Sequence, residues 1–179
     1  FTISGGSKTS KYLFSYTRND DKGIWYGSGL KRDNFRMKIN QVASEWLNLS
    51  ANASYIDETT EGLGSLQEGA SPMQSPIASI ESESIEKRNR ILNINGDAEI
   101  KFNKEWSYRG TVGIRKRMRN EDVFYSERSK QAKNAGAPFG WKKSTDEESF
   151  MYNNVLTYNK SFNINHQLDL VGGQEFISF

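Results

Sequence analysis

The stretch from Trp46 to Ile56 constrains the fold of this chain more than any other part of its sequence. From Leu47 to Tyr55 every second residue is apolar, and the residues between them are Asn or Ser. A period of two places these two sets of side chains on opposite faces of a β-strand. The stretch opens on a tryptophan and has about the length of a tilted strand that crosses a membrane, roughly 9–11 residues. It therefore predicts a strand with one apolar face, of the kind found in outer-membrane barrels.

The same alternation recurs along the chain. It predicts eight strands, at Phe1–Gly6, Lys11–Arg18, Asn34–Val42, Trp46–Ile56, Ile91–Phe102, Trp106–Arg117, Phe150–Lys160 and His166–Phe179. The connections are alternately short and long, and the long ones are the polar stretches Asn19–Asn34, Asp57–Asn89 and Met118–Glu148. Outer-membrane barrels have short turns at their periplasmic end and long loops outside the cell. We therefore predict an all-β fold, an antiparallel transmembrane β-barrel with short periplasmic turns and long extracellular loops.

The composition argues against several classes of function. The chain has no Cys and a single His, so disulfides and thiolate metal sites are excluded and little material remains for His-based catalysis or zinc binding. The net charge of +2 gives no general attraction to nucleic acid. The paired carboxylates Asp57-Glu58 and Glu147-Glu148 lack any sequence sign of a raised pKa, which a hydrolase would need. We expect neither an enzyme nor a bound metal or cofactor.

Six stretches carry a family resemblance, and they keep one order along the chain. They are the glycine hairpin Phe1–Tyr12, the pair Lys22–Ile24 and Lys31–Arg36, the strand entry Glu45–Leu49, the segment Asn153–Tyr158, and the stretch His166–Glu175. Together they resemble the SusC/RagA family of TonB-dependent outer-membrane transporters.

The resemblance implies a large barrel closed by an N-terminal plug, of which this chain forms about eight strands. Residues 1–179 would then be a partial β-barrel domain, with the plug and the remaining strands outside this chain. The resemblance further implies import of oligosaccharides or peptides across the outer membrane of a Gram-negative bacterium. It implies a SusD-like surface lipoprotein as a partner, and energy from TonB through the parent protein.

Two sets of residues are candidate ligand-binding positions. Aromatic side chains in two long connections offer a surface for a sugar or a peptide, for a partner protein, or for contacts between the loops; they are Trp25, Tyr26, Phe139 and Trp141. Arginines on the polar face of one predicted strand would line a substrate path or, as we favour, pair with plug carboxylates, because unpaired buried charge is costly; they are Arg109, Arg115 and Arg117.

Cations also occur where that strand would leave the membrane. Lys116, Met118 and Arg119 lie there, and the two cations would bind lipopolysaccharide phosphates or simply be solvated. Outer-membrane lipid is the expected partner of the apolar faces.

Two alternatives to an importer section remain open on the sequence. The strand count and the final Phe179 also fit a complete small eight-stranded outer-membrane barrel that acts as an adhesin or anchor. A soluble carbohydrate-binding β domain would use the same alternating strands, with the apolar positions forming a core.

Overall fold

The computed structural model of the chain describes residues 1–24, 27–62, 82–163 and 166–179. Within these ranges the chain forms eight strands and one short helix. The elements are β1 Thr2–Gly6, β2 Ser10–Lys22, β3 Gly29–Ser44, β4 Leu47–Glu61, β5 Glu83–Lys101, β6 Trp106–Tyr125, α1 Lys130–Ala135, β7 Phe139–Asn163 and β8 His166–Ser178. No helix among the described residues is long and apolar enough to cross a membrane.

The strands form a single sheet in which each strand pairs with its neighbours in the sequence. The order is β1 to β8, and every pairing is antiparallel. The predicted all-β antiparallel fold is therefore confirmed, and all eight predicted strands are present. The sheet is open, with β1 and β8 at its edges, whereas a complete eight-stranded barrel would pair these two strands.

The register gives the sheet two chemically different faces. Ala51 lies in a row with Ile39, Gly96, Val112 and Tyr152, and we call this side the apolar face. The adjacent row on the other side contains Asn40, Ser50, Asp97, Thr111 and Asn153, and we call this side the polar face. Val112 is 46% exposed and Ile114 52% exposed, so the apolar face is uncovered.

Aromatic pairs lie near both ends of the apolar face. Close to the short turns, the rings of Trp106 and Tyr158 have centroids 4.6 Å apart. Toward the long connections, Tyr16 and Phe35 form a second pair, also at 4.6 Å. Tyr55 lies beside Phe35 and continues this second row. The apolar face is thus bounded by aromatic rings on two sides.

The strands extend further toward the long connections than the sequence predicted. Strand β4 runs to Glu61, β5 begins at Glu83, β6 runs to Tyr125 and β7 begins at Phe139. The stretches predicted as loops, Asn19–Asn34, Asp57–Asn89 and Met118–Glu148, are therefore partly strand, and the connections are 23–28, 62–82 and 126–138. The connections at the other ends of the strands are short, namely 7–9, 45–46, 102–105 and 164–165. The predicted alternation of short and long connections is therefore confirmed.

Ion pairs between neighbouring strands explain why these polar extensions are paired. They join Lys31 to Glu61, Arg32 to Glu58, Arg88 to Asp57, Lys87 to Glu121, Lys116 to Glu148, Arg117 to Glu147 and Lys142 to Asp122. In the best-formed pair, the Nε and Nη2 atoms of Arg88 donate hydrogen bonds to the two carboxylate oxygens of Asp57, at 2.9 and 2.6 Å. These bonds hold the pKa of Asp57 below its usual value. These polar residues are typical of loops, but they form strands whose side chains are joined by ion pairs rather than by apolar contacts.

Candidate functional site

A group of three aromatic rings lies where β6 ends and β7 begins. The register places Tyr125 opposite Phe139, and Trp141 follows on the same face. Ring centroids are 5.1 Å apart for Tyr125 and Phe139, 5.7 Å for Tyr125 and Trp141, and 6.2 Å for Phe139 and Trp141. We call these three residues the aromatic cluster. Phe139 is 37% and Trp141 45% exposed, so both rings are available to a ligand.

The aromatic cluster lies beside the best-packed part of the described structure. Of the five residues buried in the described ranges, four lie there, namely Ser82, Val123, Ser129 and Ala132. The Ser129 side chain caps α1 by accepting a hydrogen bond from the Ala132 backbone at 3.0 Å. The helix ends at Gly136, whose φ of 80° lies in the left-handed region that favours glycine. The connection after β6 is therefore a defined structure that packs at the end of the sheet that carries the long connections, which we call its outer end.

Glu83 is the acidic neighbour of the aromatic cluster. It begins β5 and lies directly opposite Tyr125. Burial raises the pKa of the Glu83 carboxyl group, and a hydrogen bond from the Gln131 side chain partly opposes this rise. Burial also raises the pKa of the Tyr125 hydroxyl group, and the carboxylates of Glu83 and Glu121 raise it further. The site therefore combines exposed ring faces with a carboxylate that is partly withdrawn from water.

The three predicted arginines lie on the polar face of β6 and differ in their surroundings. Arg109 pairs with Glu99 at 3.7 Å. Arg117 lies 3.8 Å from a Glu147 oxygen and donates a hydrogen bond to Asn89 at 3.0 Å. Arg115 is flanked in register by the neutral side chains of Asn93 and Ser149. Two of the arginines thus find partners within the sheet itself.

Hydrogen bonds between side chains of neighbouring strands cover much of the remaining polar face. The carboxylate of Asp97 accepts from Ser50 at 3.0 Å and from Thr111 at 2.8 Å. Parallel to this row, Asn95 donates to Asn52 at 3.2 Å. A hollow of about 460 Å³ opens near the short turns, and its lining includes Lys11, Ser50, Asp97, Glu99 and Arg109. In this central part the polar side chains therefore bond one another, whereas Arg32 Nε and Asn34 Oδ1, nearer the long connections, are buried without a hydrogen-bond partner among the described residues.

The structure separates the predicted site residues into distinct places. It brings Phe139 and Trp141 together, while Trp25 and Tyr26 lie outside the described residues. Arg117 shares the face of the aromatic cluster but lies about 20–27 Å away along β6, at roughly 3.4 Å per residue, from the positions opposite Trp141 and Phe139. The arginines and the aromatic cluster are therefore separate positions.

Sequence reasoning missed Glu83 and Tyr125 because both fell in stretches assigned to loops. The sequence carries only a partial signal for Tyr125, because Val123 and Tyr125 are apolar at a spacing of two but lie on the polar-face parity of β6, opposite to Val112. Of the two cations expected at the outer end of this strand, Lys116 contacts the Glu148 carboxylate on the apolar side, and Arg119 shares the polar-face parity of Arg117.

Comparison with known proteins supports the fold. No protein-family model matches the sequence, and no curated protein matches it. Among solved structures, a chain of the RagAB peptide importer in its closed-closed state superimposes with a TM-score of 0.81 at 18% sequence identity. A chain from a second structure, of the RagAB peptide transporter, gives a TM-score of 0.79 at 18% identity. Each match covers 98% of this chain and 23% of the other, so the chain spans about a quarter of those proteins.

Proposed function

We propose that this chain is a section of the barrel wall of a SusC-type nutrient importer in the bacterial outer membrane. The parent protein takes up peptides or oligosaccharides, works with a SusD-like surface lipoprotein, and draws energy from TonB. The chain contributes a wall and a ligand-contacting rim rather than an enzyme active site. The fold shared with chains of the RagAB peptide importer supports this proposal.

The uncovered apolar face is the observation that carries the proposal. Leu47 to Tyr55 spans about 27 Å along β4, at roughly 3.4 Å per residue. A strand tilt of about 40° reduces this to a height of about 21 Å, slightly below the roughly 25 Å apolar band of outer-membrane barrels. Aromatic rows bound the face at both ends, as interfacial side chains do in such barrels. A soluble sheet would bury residues such as Val112 and Ile114 in a core, whereas both are exposed.

In this placement each part of the sheet lies in a different environment. Lipid covers the apolar face, and the polar face with Asp97 and Arg109 lines the barrel interior. The ion-paired strand ends stand outside the membrane, where Arg88 and Lys116 lie at the height of lipopolysaccharide phosphates. The aromatic cluster then lies at the outer mouth, where nutrient or the lipoprotein partner arrives first.

The proposal predicts that the parent protein is required for nutrient uptake. Deleting its gene should remove a major outer-membrane protein and abolish growth on peptide or on oligosaccharide as the limiting nutrient. Growth on free amino acids and monosaccharides, which pass through general porins, is the control. The measurement is uptake of labelled peptides and oligosaccharides by intact cells. Unchanged uptake of both classes by the deletion strain would remove the importer proposal.

The proposed orientation predicts where trypsin cuts intact cells. Connection 126–138 carries the exposed basic residues Arg128, Lys130 and Lys133, whereas residues 63–81 contain no Lys or Arg. We therefore expect cleavage between β6 and β7 and protection of Lys104 in the short turn after β5. Mass spectrometry of membrane fragments identifies the cut. Cleavage at Lys104 with Arg128 protected would show that the sheet is inserted the other way.

A further inference from the structure

Glu83 differs from Glu121 and Glu147, its neighbours on the polar face of β6 and β7, because among the described residues it has no cationic partner. Glu121 lies 3.3 Å from Lys87, and Glu147 lies 3.8 Å from Arg117. Within the described ranges no lysine or arginine pairs with Glu83, and every lysine and arginine of the sequence lies in those ranges. Its negative charge is therefore uncompensated by the part of the chain that the structure describes.

The groups around Glu83 are mainly hydrogen-bond acceptors and aromatic rings, whose faces attract positive charge. Gln131 uses its amide nitrogen on Glu83, and its Oε1 atom is buried without a hydrogen-bond partner. Tyr125 lies opposite Glu83 in the β5–β6 pairing, and Tyr125 is itself a member of the aromatic cluster. Because burial disfavours the ionised carboxyl group of Glu83, a bound cation would gain more there than beside a fully hydrated acid.

An ammonium group matches this combination. It brings one positive charge and three hydrogen-bond donors, and it has no acceptor of its own. The faces of tryptophan, tyrosine and phenylalanine rings attract cations within about 6 Å. A neutral sugar would stack on the rings but would leave the charge of Glu83 uncompensated. The site therefore favours a cationic ligand over a neutral one.

We propose that Glu83 and the aromatic cluster form a binding position for the ammonium group of a peptide, supplied by its amino terminus or by a lysine side chain. This inference rests on the proposed function, because it names the substrate chemistry of the same outer site. It selects peptides over neutral oligosaccharides as the ligands that Glu83 recognises.

The test uses the full-length protein in detergent and four synthetic hexapeptides of one sequence. One has a free amino terminus and no lysine, the second is its acetylated form, the third is acetylated with one lysine, and the fourth carries acetyl-lysine instead. We expect an ammonium-bearing peptide to bind about tenfold more tightly than its acetylated counterpart, as a charged hydrogen bond with a cation–π contact provides. The first and third peptides show whether the terminus or the lysine is recognised.

Three variants locate the effect. Glu83→Gln removes the charge while keeping a side chain of similar shape, and it should abolish the tenfold preference. Phe139→Leu removes one ring and should reduce the preference about threefold. Glu86→Gln is the matched control, because Glu86 is an exposed carboxylate of the same strand and should leave the preference unchanged.

The outcomes separate this inference from the proposed function. Equal binding of acetylated and free peptides by the wild type, or a preference that survives Glu83→Gln, overturns the ammonium site while peptide import stands. If cells import neither peptides nor oligosaccharides through this protein, the importer proposal fails and the ammonium site fails with it.

Discussion

Replacing Ala51 by arginine is expected to reduce the folded protein in the outer membrane more than tenfold. Ala51 lies midway between Leu47 and Tyr55 on the apolar face, in the row that contains Gly96 and Val112. In the proposed placement this row lies near the middle of the bilayer. An arginine at that depth on a lipid-facing strand costs about 2–4 kcal/mol. The measurement is the amount of heat-modifiable, folded protein in outer-membrane fractions.

The neighbouring position on β4 provides the control. Asn52 lies on the polar face, where it accepts a hydrogen bond from Asn95 at 3.2 Å. Asn52→Arg introduces the same charge one residue away but directs it to the water-compatible side, so we expect a much smaller loss. The pair Val112→Arg and Thr111→Arg repeats the comparison on β6, where Asp97 lies beside Thr111 and can pair with the new cation. Equal losses within each pair would contradict the assignment of lipid to the apolar face.

Replacing Gly140 by alanine is expected to break the pairing of β6 with β7 at the aromatic cluster. A Cβ atom on Gly140 would lie 2.4 Å from the Val123 carbonyl oxygen and 3.2 Å from the Phe124 Cα. These are backbone atoms, so a side-chain rotation cannot relieve the clash. Overpacking of this kind costs about 1–3 kcal/mol, while each exposed ion pair nearby contributes about 1 kcal/mol or less. We therefore expect the outer end of the hairpin to open.

Hydrogen exchange of the β6 and β7 amides measures this opening. In the Gly140→Ala protein, amides near Val123 and Trp141 should exchange at least tenfold faster, while those near Thr111 keep their protection. Gly172→Ala is the control, because a Cβ atom there meets nothing within 4 Å. Similar exchange in both variants would show that the close approach at Gly140 has no structural importance.

The central parts of the strands could be predicted from the sequence because one face of each is apolar. In β4 the alternation from Leu47 to Tyr55 gave both the strand and its two faces, and the register confirms them. The outer ends could not be predicted in this way. Residues such as Arg88 and Glu121 belong to types common in loops, and only the pairing of neighbouring strands shows that each has a partner.

The candidate site shows the same division. Phe139 and Trp141 could be selected because exposed aromatic residues in a polar stretch are unusual. Glu83 could not, since its proposed role depends on lying opposite Tyr125, a residue far from it in sequence that the register of β5 and β6 places there. For the same reason, the sequence predicts plug carboxylates as partners of Arg109 and Arg117, and only the register shows Glu99 and Glu147 beside them on adjacent strands.

Separating neighbouring strands has a different energetic cost in the apolar part of the sheet than at the ion-paired strand ends. In the proposed placement, separating strands within the apolar band would expose peptide groups to hydrocarbon, at several kcal/mol for each group. Beyond Tyr55 the same separation exposes peptide groups to water, and it breaks contacts that salt screens over about 8 Å at physiological ionic strength. Fraying can therefore start at the outer edge and stop at the aromatic row without disturbing the membrane-embedded wall. In the proposed importer the rim would then adjust its shape to what it captures, while the wall beneath it would stay fixed.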